Sequence, residues 1–401
     1  MATRLITVAQ ARELVLDAIR PLAREQVELS AALGRVLASD VHAAADVPPF
    51  PCSAMDGYAV VAGDAGRRLA IVGESRAGSP AEHALADGEA IRISTGAAVP
   101  AGATAVIPQE NVERWDSSIE TATAVVPGQN VRGAGEDMRA QSTVLRAGTR
   151  LGAVELGAAV AAGVGAVSAA RRPRVMVLCT GDELRAPGAT LGPSQIHNSN
   201  APMLTGLAAG AGAATGEAQR LPDDPAATQA GIGAAIESSD VVIISGGVSV
   251  GPHDHVKPAL AALGVSEVFW RVALQPGKPT WFGTRGEEKL VFGLPGNPVS
   301  TVVTFSLFVT PALAALQGLR PVRTLESEAT LGVEVHRDPR REQAIRVRLK
   351  RGSGATVATP NGAQGSHILT SLLGADALAM IPPGEGTLAA GTTVALEPLA
   401  G

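Results

Sequence analysis

Apolar positions recur at helical spacing near the start of the chain and at strand spacing through much of the rest. Val8, Ala11, Val15, Ala18, Ile19 and Leu22 fall on one face of a 3.6-residue repeat. Thr7 and Gln10 supply a capping box for its first turn, so a helix is expected there, followed by a short strand around Arg35 to Val41. From Asp46 the texture changes to short alternating runs (IVGES, AIRIS, TAVIPQENV, IETATAVV) separated by turn residues, which predicts a β-rich unit over 46–141. Residues 142–173 return to helical and turn-like sequence and are expected to close back on 1–45. The Ala/Gly-rich run 151–170 carries Glu155 and glycines, and reads as a packed helix with a turn rather than a membrane span.

Beyond Pro173 the pattern changes again. RVMVLC at 174–179, a run toward Leu221, VVIIS at 241–245, FWRVAL, TWFGT and LVFGL read as strands. Helical stretches at 200–211, 225–238, 254–263 and 298–316 alternate with them. This alternation predicts a doubly wound, mostly parallel sheet with helices on both faces over 174–323. From 324 to 401 strand-and-turn sequence predicts a small, barrel-like all-β domain. The fold class is therefore multidomain α/β: a central α/β domain, a β-rich insertion and a small C-terminal β domain. A length of 401 residues fits roughly two to four domains.

Composition narrows the function classes. Net charge is −5 and charged residues make up 18%, so no basic excess draws the chain to nucleic acid or an anionic membrane. Cys52 and Cys179 give neither a disulfide framework nor a metal-ligand spacing, and both read as small buried hydrophobes. The N-terminus lacks the basic start and apolar core of a signal peptide, and a cytoplasmic location is expected.

The chemistry concentrates in a set of loops: SAMDGYAV at 53–60, TGDEL at 180–184, SGGVSVGPHD at 245–254, PGKP at 276–279 and GLPGNPVS at 293–300. Glycine turns let backbone amides approach a ligand, and the accompanying carboxylates can hold a hard cation beside it. A polyanion site with magnesium is the leading reading. SGGVSVG lacks the Lys-Ser/Thr of a Walker A loop, and no strand-borne GxGxxG with a downstream acid supports a nicotinamide site. TGDEL, SGGVSVG and GLPGNP each follow a strand, where open α/β sheets place their ligands.

Individual residues leave choices open. Asp254 is either a helix cap or a magnesium ligand. Asp182 and Glu183 suit cation or hydroxyl binding, while Asp223 and Asp224 ahead of Pro225 suit capping. His253 and His255 lack the partners of a zinc site. Lys278, one of four lysines with Lys257, Lys289 and Lys350, sits between Pro276 and Pro279 in a stiff turn that can aim its ammonium at an oxyanion. Arg341 and Arg346 are either a strand face or a basic wall for an anion.

Taken in order with QGSH at 364–367, these motifs span essentially the whole chain and resemble the molybdopterin molybdenumtransferase (MoeA) family, which includes the C-terminal part of gephyrin. The resemblance implies a homodimer of four-domain subunits: domain I over 1–45 and 142–173, domain II over 46–141, domain III over 174–323 and domain IV over 324–401. Domain III would be similar to molybdopterin adenylyltransferase. The implied activity, in molybdenum cofactor biosynthesis, is insertion of molybdenum from molybdate into adenylylated molybdopterin, with hydrolysis of the adenylate and release of AMP. Magnesium is the implied cofactor.

Carried over by motif, Asp56, Glu183, Asp254 and Lys278 are the expected catalytic residues. Thr95, Arg132, Asp137, Ser245, Gly246, Gly247, Ser249, Gly251, Arg271, Pro295, Gly296, Asn297, Pro298, Arg346 and Ser366 are expected to bind substrate. Glu183, Asp223 and Asp254 are the expected metal ligands. Implied partners are a second copy of the chain, the adenylyltransferase in transient contact, and acceptor molybdoenzymes. Arg271 and Gln275 stand where some relatives carry lysine, and Cys52 precedes Ser53 where a polar residue is common. An ATP-dependent molybdopterin adenylyltransferase and a gephyrin-like scaffold remain as alternatives.

Overall fold

Thr7 opens the first helix, Val8–Asp17, through the expected capping box: its hydroxyl accepts from the Gln10 amide at 3.1 Å while the Gln10 side chain accepts from the Thr7 amide at 3.0 Å. The structure is a computed structural model describing residues 5–248, 254–319, 328–352 and 355–400. It divides into two compact units, one of Gln26–Leu33 and Ser39–Ser168, the other of Met1–Glu25, Gly34–Ala38 and Ala169–Gly401. The first helix thus belongs with the α/β sequence rather than with a separate helical domain. Val8, Ala11 and Val15 bury into the same core as Val299, Val303 and Phe308.

The strand expected around residues 35–41 is reduced to a single bridge from Leu37 to Ala169 and a two-residue strand, Val41–His42, paired with Thr143–Leu145. Gly34 takes a left-handed φ of 74°, and the Asp40 carboxylate captures the Ala147 amide at 2.7 Å; together they break the extended run. Residues 151–170 form the helix Ala153–Ala161 and then a strand, Ala166–Ala170, in place of one longer helix with a turn.

The β-rich unit is a six-stranded sheet ordered Ala105–Pro108, Gly57–Val60, Glu89–Ile93, Arg68–Ser75, Ser118–Thr121 and Val112–Trp115. Alternate residues of its strands enter two separate cores, Tyr58 and Val60 in one and Ala59 with Ile91 and Ile93 in the other.

In the other unit Arg174–Thr180, Val241–Ser245 and Lys289–Leu294 pair in parallel. Trp281–Arg285 and Ser266–Trp270 extend the sheet antiparallel, a departure from an all-parallel layout. Three residues link Arg285 to Lys289, too few for the helical crossover that a parallel pairing needs. Ile243 and Phe292 face one core while Val242, Ile244 and Val291 face another, so both faces are covered. The run Pro298–Leu316 has the length and apolarity to cross a membrane, but it is 72% buried as the central helix of this core. Glu342–Arg351, Thr356–Pro360, Glu328–Leu331, Thr393–Pro398 and Ala377–Ile381 pair in a closed ring, a five-stranded barrel.

Candidate functional site

The parallel strands Arg174–Thr180, Val241–Ser245 and Lys289–Leu294 end at one edge of the sheet, and the loops leaving them wall a cavity of about 890 Å³. Glu183, Asp223, Ser245, Gly246, Gly247, Asp254, Pro295, Gly296, Asn297 and Pro298 all line it. The backbone dictates the glycines: Gly246 and Gly247 have φ of 91° and 64°, and a Cβ on Gly247 would stand 2.5 Å from a Val256 methyl. Ser249, Gly251 and His253 lie outside the described residues.

The acids separate by role. Asp224 caps the helix Pro225–Ser238, accepting from the Ala227 amide at 2.7 Å, which leaves Asp223 to the cavity, where it accepts from the Asp182 amide at 3.2 Å. Asp182 pairs with Arg220 at 3.3 Å, and Glu183 lines the cavity with its carboxylate exposed. Asp254 precedes the helix Val256–Ala262, whose cap position is His255, and its carboxylate faces the Val256 and Lys257 amides. Both Asp254 carboxylate oxygens are buried with no hydrogen-bond partner among the described residues. That burial pushes its pKa up, and the Lys257 charge with the backbone amides of Lys257 and Val256 opposes the shift. Among the described residues no three His, Cys, Asp or Glu side chains form a ready metal-ligand group. Glu183, Asp223 and Asp254, the expected metal ligands, share this one cavity.

Other expected residues lie elsewhere. Ser366 belongs to the barrel sequence yet reaches the rim: Asn297 Nδ2 donates to its hydroxyl at 2.9 Å, and the Val299 amide donates to its carbonyl at 3.2 Å. Lys278 is exposed in its turn, and Pro279 rather than the lysine lines the cavity. Arg271 does not line the cavity either, since its guanidinium stacks on Trp270. Gln275 sits in a short strand paired with Gln343.

Arg346 needs correcting. It is 1% exposed, and donates to Ser371 Oγ and to the carbonyls of Ala363 and Gly365, so it organises the QGSH loop from beneath and presents no basic wall. Burial lowers its pKa to about 10, which leaves it a cation at neutral pH. Asp56, Thr95, Arg132 and Asp137 belong to the β-rich unit. There Asp56 accepts from the Thr95 amide at 2.7 Å and borders a polar cavity of about 390 Å³ with Arg92 and Arg114; Arg132 and Asp137 are exposed and do not line it.

The sequence reading missed Asn200. Its Nδ2 donates to Ser245 Oγ at 2.8 Å and to the Gly296 carbonyl at 2.7 Å, tying the SGGVSVG loop to the GLPGNP loop. Its only sequence signal was its place at the start of the expected helix over 200–211. Asn200→Asp places an acceptor against the Gly296 carbonyl, and is expected to cost about 2–3 kcal/mol in urea denaturation, more than Asn200→Ala. An equal or smaller loss for the aspartate would show that the loops do not depend on this donor.

A carboxylate-lined cavity at the carboxyl edge of a doubly wound sheet defines an α/β ligand-binding domain. The MoeA N-terminal region (domain I and II) matches residues 6–163, the probable molybdopterin binding domain residues 176–315, and the MoeA C-terminal region (domain IV) residues 328–399. Molybdopterin molybdenumtransferase of Haemophilus influenzae is 35% identical, with 98% of each chain covered. Molybdopterin molybdenumtransferase 2 of Mycobacterium tuberculosis is 36% identical over 96% of this chain and 98% of its own. The molybdopterin biosynthesis MoeA protein of Pyrococcus horikoshii superposes with a TM-score of 0.83 at 32% identity, covering 98% of this chain and 100% of that one. The chain belongs to the molybdopterin molybdenumtransferase family. It is a transferase of molybdenum cofactor biosynthesis, and these full-length likenesses favour that reading over a separate adenylyltransferase or a scaffold.

Proposed function

We propose that the protein inserts molybdenum from molybdate into adenylylated molybdopterin, with hydrolysis of the adenylate and release of AMP. The observation that carries this reading is the charge of the cavity. Glu183, Asp223 and Asp254 line it, and no lysine or arginine does among the described residues. An adenylate and a molybdate, both anionic, are repelled by such a wall unless a cation intervenes. Asp254, whose buried carboxylate lines the cavity, fits that cation, and magnesium held by one or two carboxylates and substrate oxygens suits the all-oxygen donor set. When bound, magnesium would neutralise phosphate charge and polarise a phosphoryl oxygen.

The chain's own groups do the rest. The turn at Gly246 and Gly247 brings backbone close to the ligand, and Asn297 with Ser366 joins the Pro-flanked turn to the QGSH loop. The Lys278 side chain is exposed, so its ammonium is available to molybdate in a turn stiffened by two prolines. A homodimer, a cytoplasmic location and transient contacts with the adenylyltransferase and acceptor molybdoenzymes belong to the same proposal. Sedimentation is expected to give a mass near twice 40.5 kDa. A fully active monomer would contradict the dimer.

A molybdate titration read by AMP release tests the assignment. Lys278→Ala is expected to raise the half-saturating molybdate concentration roughly tenfold to a hundredfold, with a smaller effect on the adenylate. Gln275→Lys should lower that concentration, and both effects should shrink as salt rises. Equal losses toward molybdate and adenylate in Lys278→Ala would place the lysine on the phosphate instead.

A further inference from the structure

The QGSH loop carries one ring that has no task in the site described so far, His367. The backbone around it is fastened on three sides. From beneath, Arg346 donates to the carbonyls of Ala363 and Gly365, and its own amide donates to Gln364 Oε1 at 3.0 Å. From the α/β side, the Val299 amide donates to the Ser366 carbonyl at 3.2 Å and Asn297 Nδ2 to the Ser366 hydroxyl at 2.9 Å. Beyond it, the Leu369 amide donates to the His367 carbonyl at 3.1 Å, where the short turn of helix Leu369–Leu372 begins. The ring itself leans back on Gly365, since a Cβ there would stand 3.0 Å from His367 Cε1. Held in this way, His367 lines the cavity and stays exposed.

The rest of the wall shows what this ring can add. A phosphate group entering the cavity meets Glu183, Asp223 and Asp254, which repel it, and no lysine or arginine among the described lining residues. Other side-chain N–H groups in the wall are already committed. Asn200 Nδ2 gives its two hydrogens to Ser245 Oγ and the Gly296 carbonyl. His197 Nε2 donates to the Ala189 carbonyl at 2.9 Å, so in the neutral ring its other nitrogen is an acceptor. An imidazole keeps at least one N–H whether neutral or charged, and a donor facing an oxyanion makes a stronger bond than a neutral pair does. We propose that His367 is a further substrate-binding residue, donating an N–H to a phosphate oxygen of the adenylate. This rests on reading the cavity as the adenylate site. It gives the QGSH loop a direct part in binding, and gives the hydrogen bonds beneath and beside that loop a purpose: they hold one donor at the rim.

Calorimetric titration of the full-length protein with AMP, adenosine and molybdate, each with magnesium present, tests the contact without turnover. His367→Ala is expected to weaken AMP binding roughly tenfold to a hundredfold, the worth of one hydrogen bond to a charged group. Adenosine, which lacks the phosphate, and molybdate should each stay within about twofold. An amide can restore the donor: asparagine places its N–H near the position of ring Nδ1, and glutamine near that of Nε2. One of His367→Asn and His367→Gln is therefore expected to bring AMP affinity back to within roughly threefold of the unmodified protein.

Equal losses for AMP and adenosine would assign the ring to the nucleoside or to the shape of the loop, and would overturn the phosphate contact. Failure of both amides, or a loss confined to molybdate, would overturn it too. If the unmodified protein bound AMP with this pattern but released none from adenylylated molybdopterin, the proposed reaction would fail while the contact stood. If it bound no AMP, both would fall.

Discussion

Asp254→Asn is expected to reduce AMP release by about a hundredfold or more while making the protein more stable, not less. The two effects share one cause. The Asp254 carboxylate is buried with neither oxygen hydrogen-bonded among the described residues, a costly arrangement that an amide relieves in part. Burial raises the pKa above the ordinary 3.8, so the folded protein holds this proton more tightly than the unfolded chain does. Stability contributed by this group is therefore lost as pH rises from the unfolded value through the raised one. The advantage of Asp254→Asn should accordingly be full at pH 7 and vanish below the ordinary value of 3.8. At pH 7 a melting temperature higher by roughly 2 °C is expected. Magnesium should raise the melting temperature of the unmodified protein and leave that of the variant nearly unchanged, since only the former offers the ligand. A variant that melts lower, or that keeps its magnesium response, would show that this carboxylate is not held ready for a cation.

The second large effect belongs to Gly57. A Cβ on Gly57 would stand 2.0 Å from the Ile107 carbonyl oxygen and 2.9 Å from the Pro108 Cα, both of them backbone atoms of the neighbouring strand. No rotamer change can relieve that clash, so Gly57→Ala must push the edge strand Ala105–Pro108 away from its neighbour Gly57–Val60. A loss of about 4 kcal/mol is expected, confined to the β-rich unit that Gly57 and Ile107 share. Hydrogen exchange would read it directly: the amides of Gly57–Val60 and Ala105–Pro108 should lose protection while Val241–Ser245 keeps its own. Unchanged protection in the first pair would contradict the close approach.

Gly57 also shows how sequence and structure divide the information. SAMDGYAV was legible as a site motif, and the glycine read as room for a ligand; the structure gives that room to a neighbouring strand, with Asp56 beside it. Continuous apolar runs such as VVIIS, and helices with their caps such as Asp224 ahead of Pro225, were legible because local pattern and burial agree. The stretch at 35–41 misled because its apolar spacing suits a strand, while the Asp40 carboxylate binds a distant amide and stops it.

Arg346 misled for the opposite reason. Alternation correctly placed it on a strand, but not on which face, and only the packed barrel reveals that the QGSH loop covers it. Asn200 was illegible because its importance lies in two long-range bonds, to Ser245 and Gly296, that no local spacing encodes.

The account turns on chemistry at one cavity, and a single-turnover reaction tests it most directly. Purified protein would be mixed with adenylylated molybdopterin and magnesium, with and without molybdate, and AMP and pterin-bound molybdenum measured together. The account predicts AMP formed in step with molybdenum bound to the pterin, strongly stimulated by molybdate and nearly absent in Asp254→Asn. AMP release indifferent to molybdate, or turnover retained in Asp254→Asn, would contradict it.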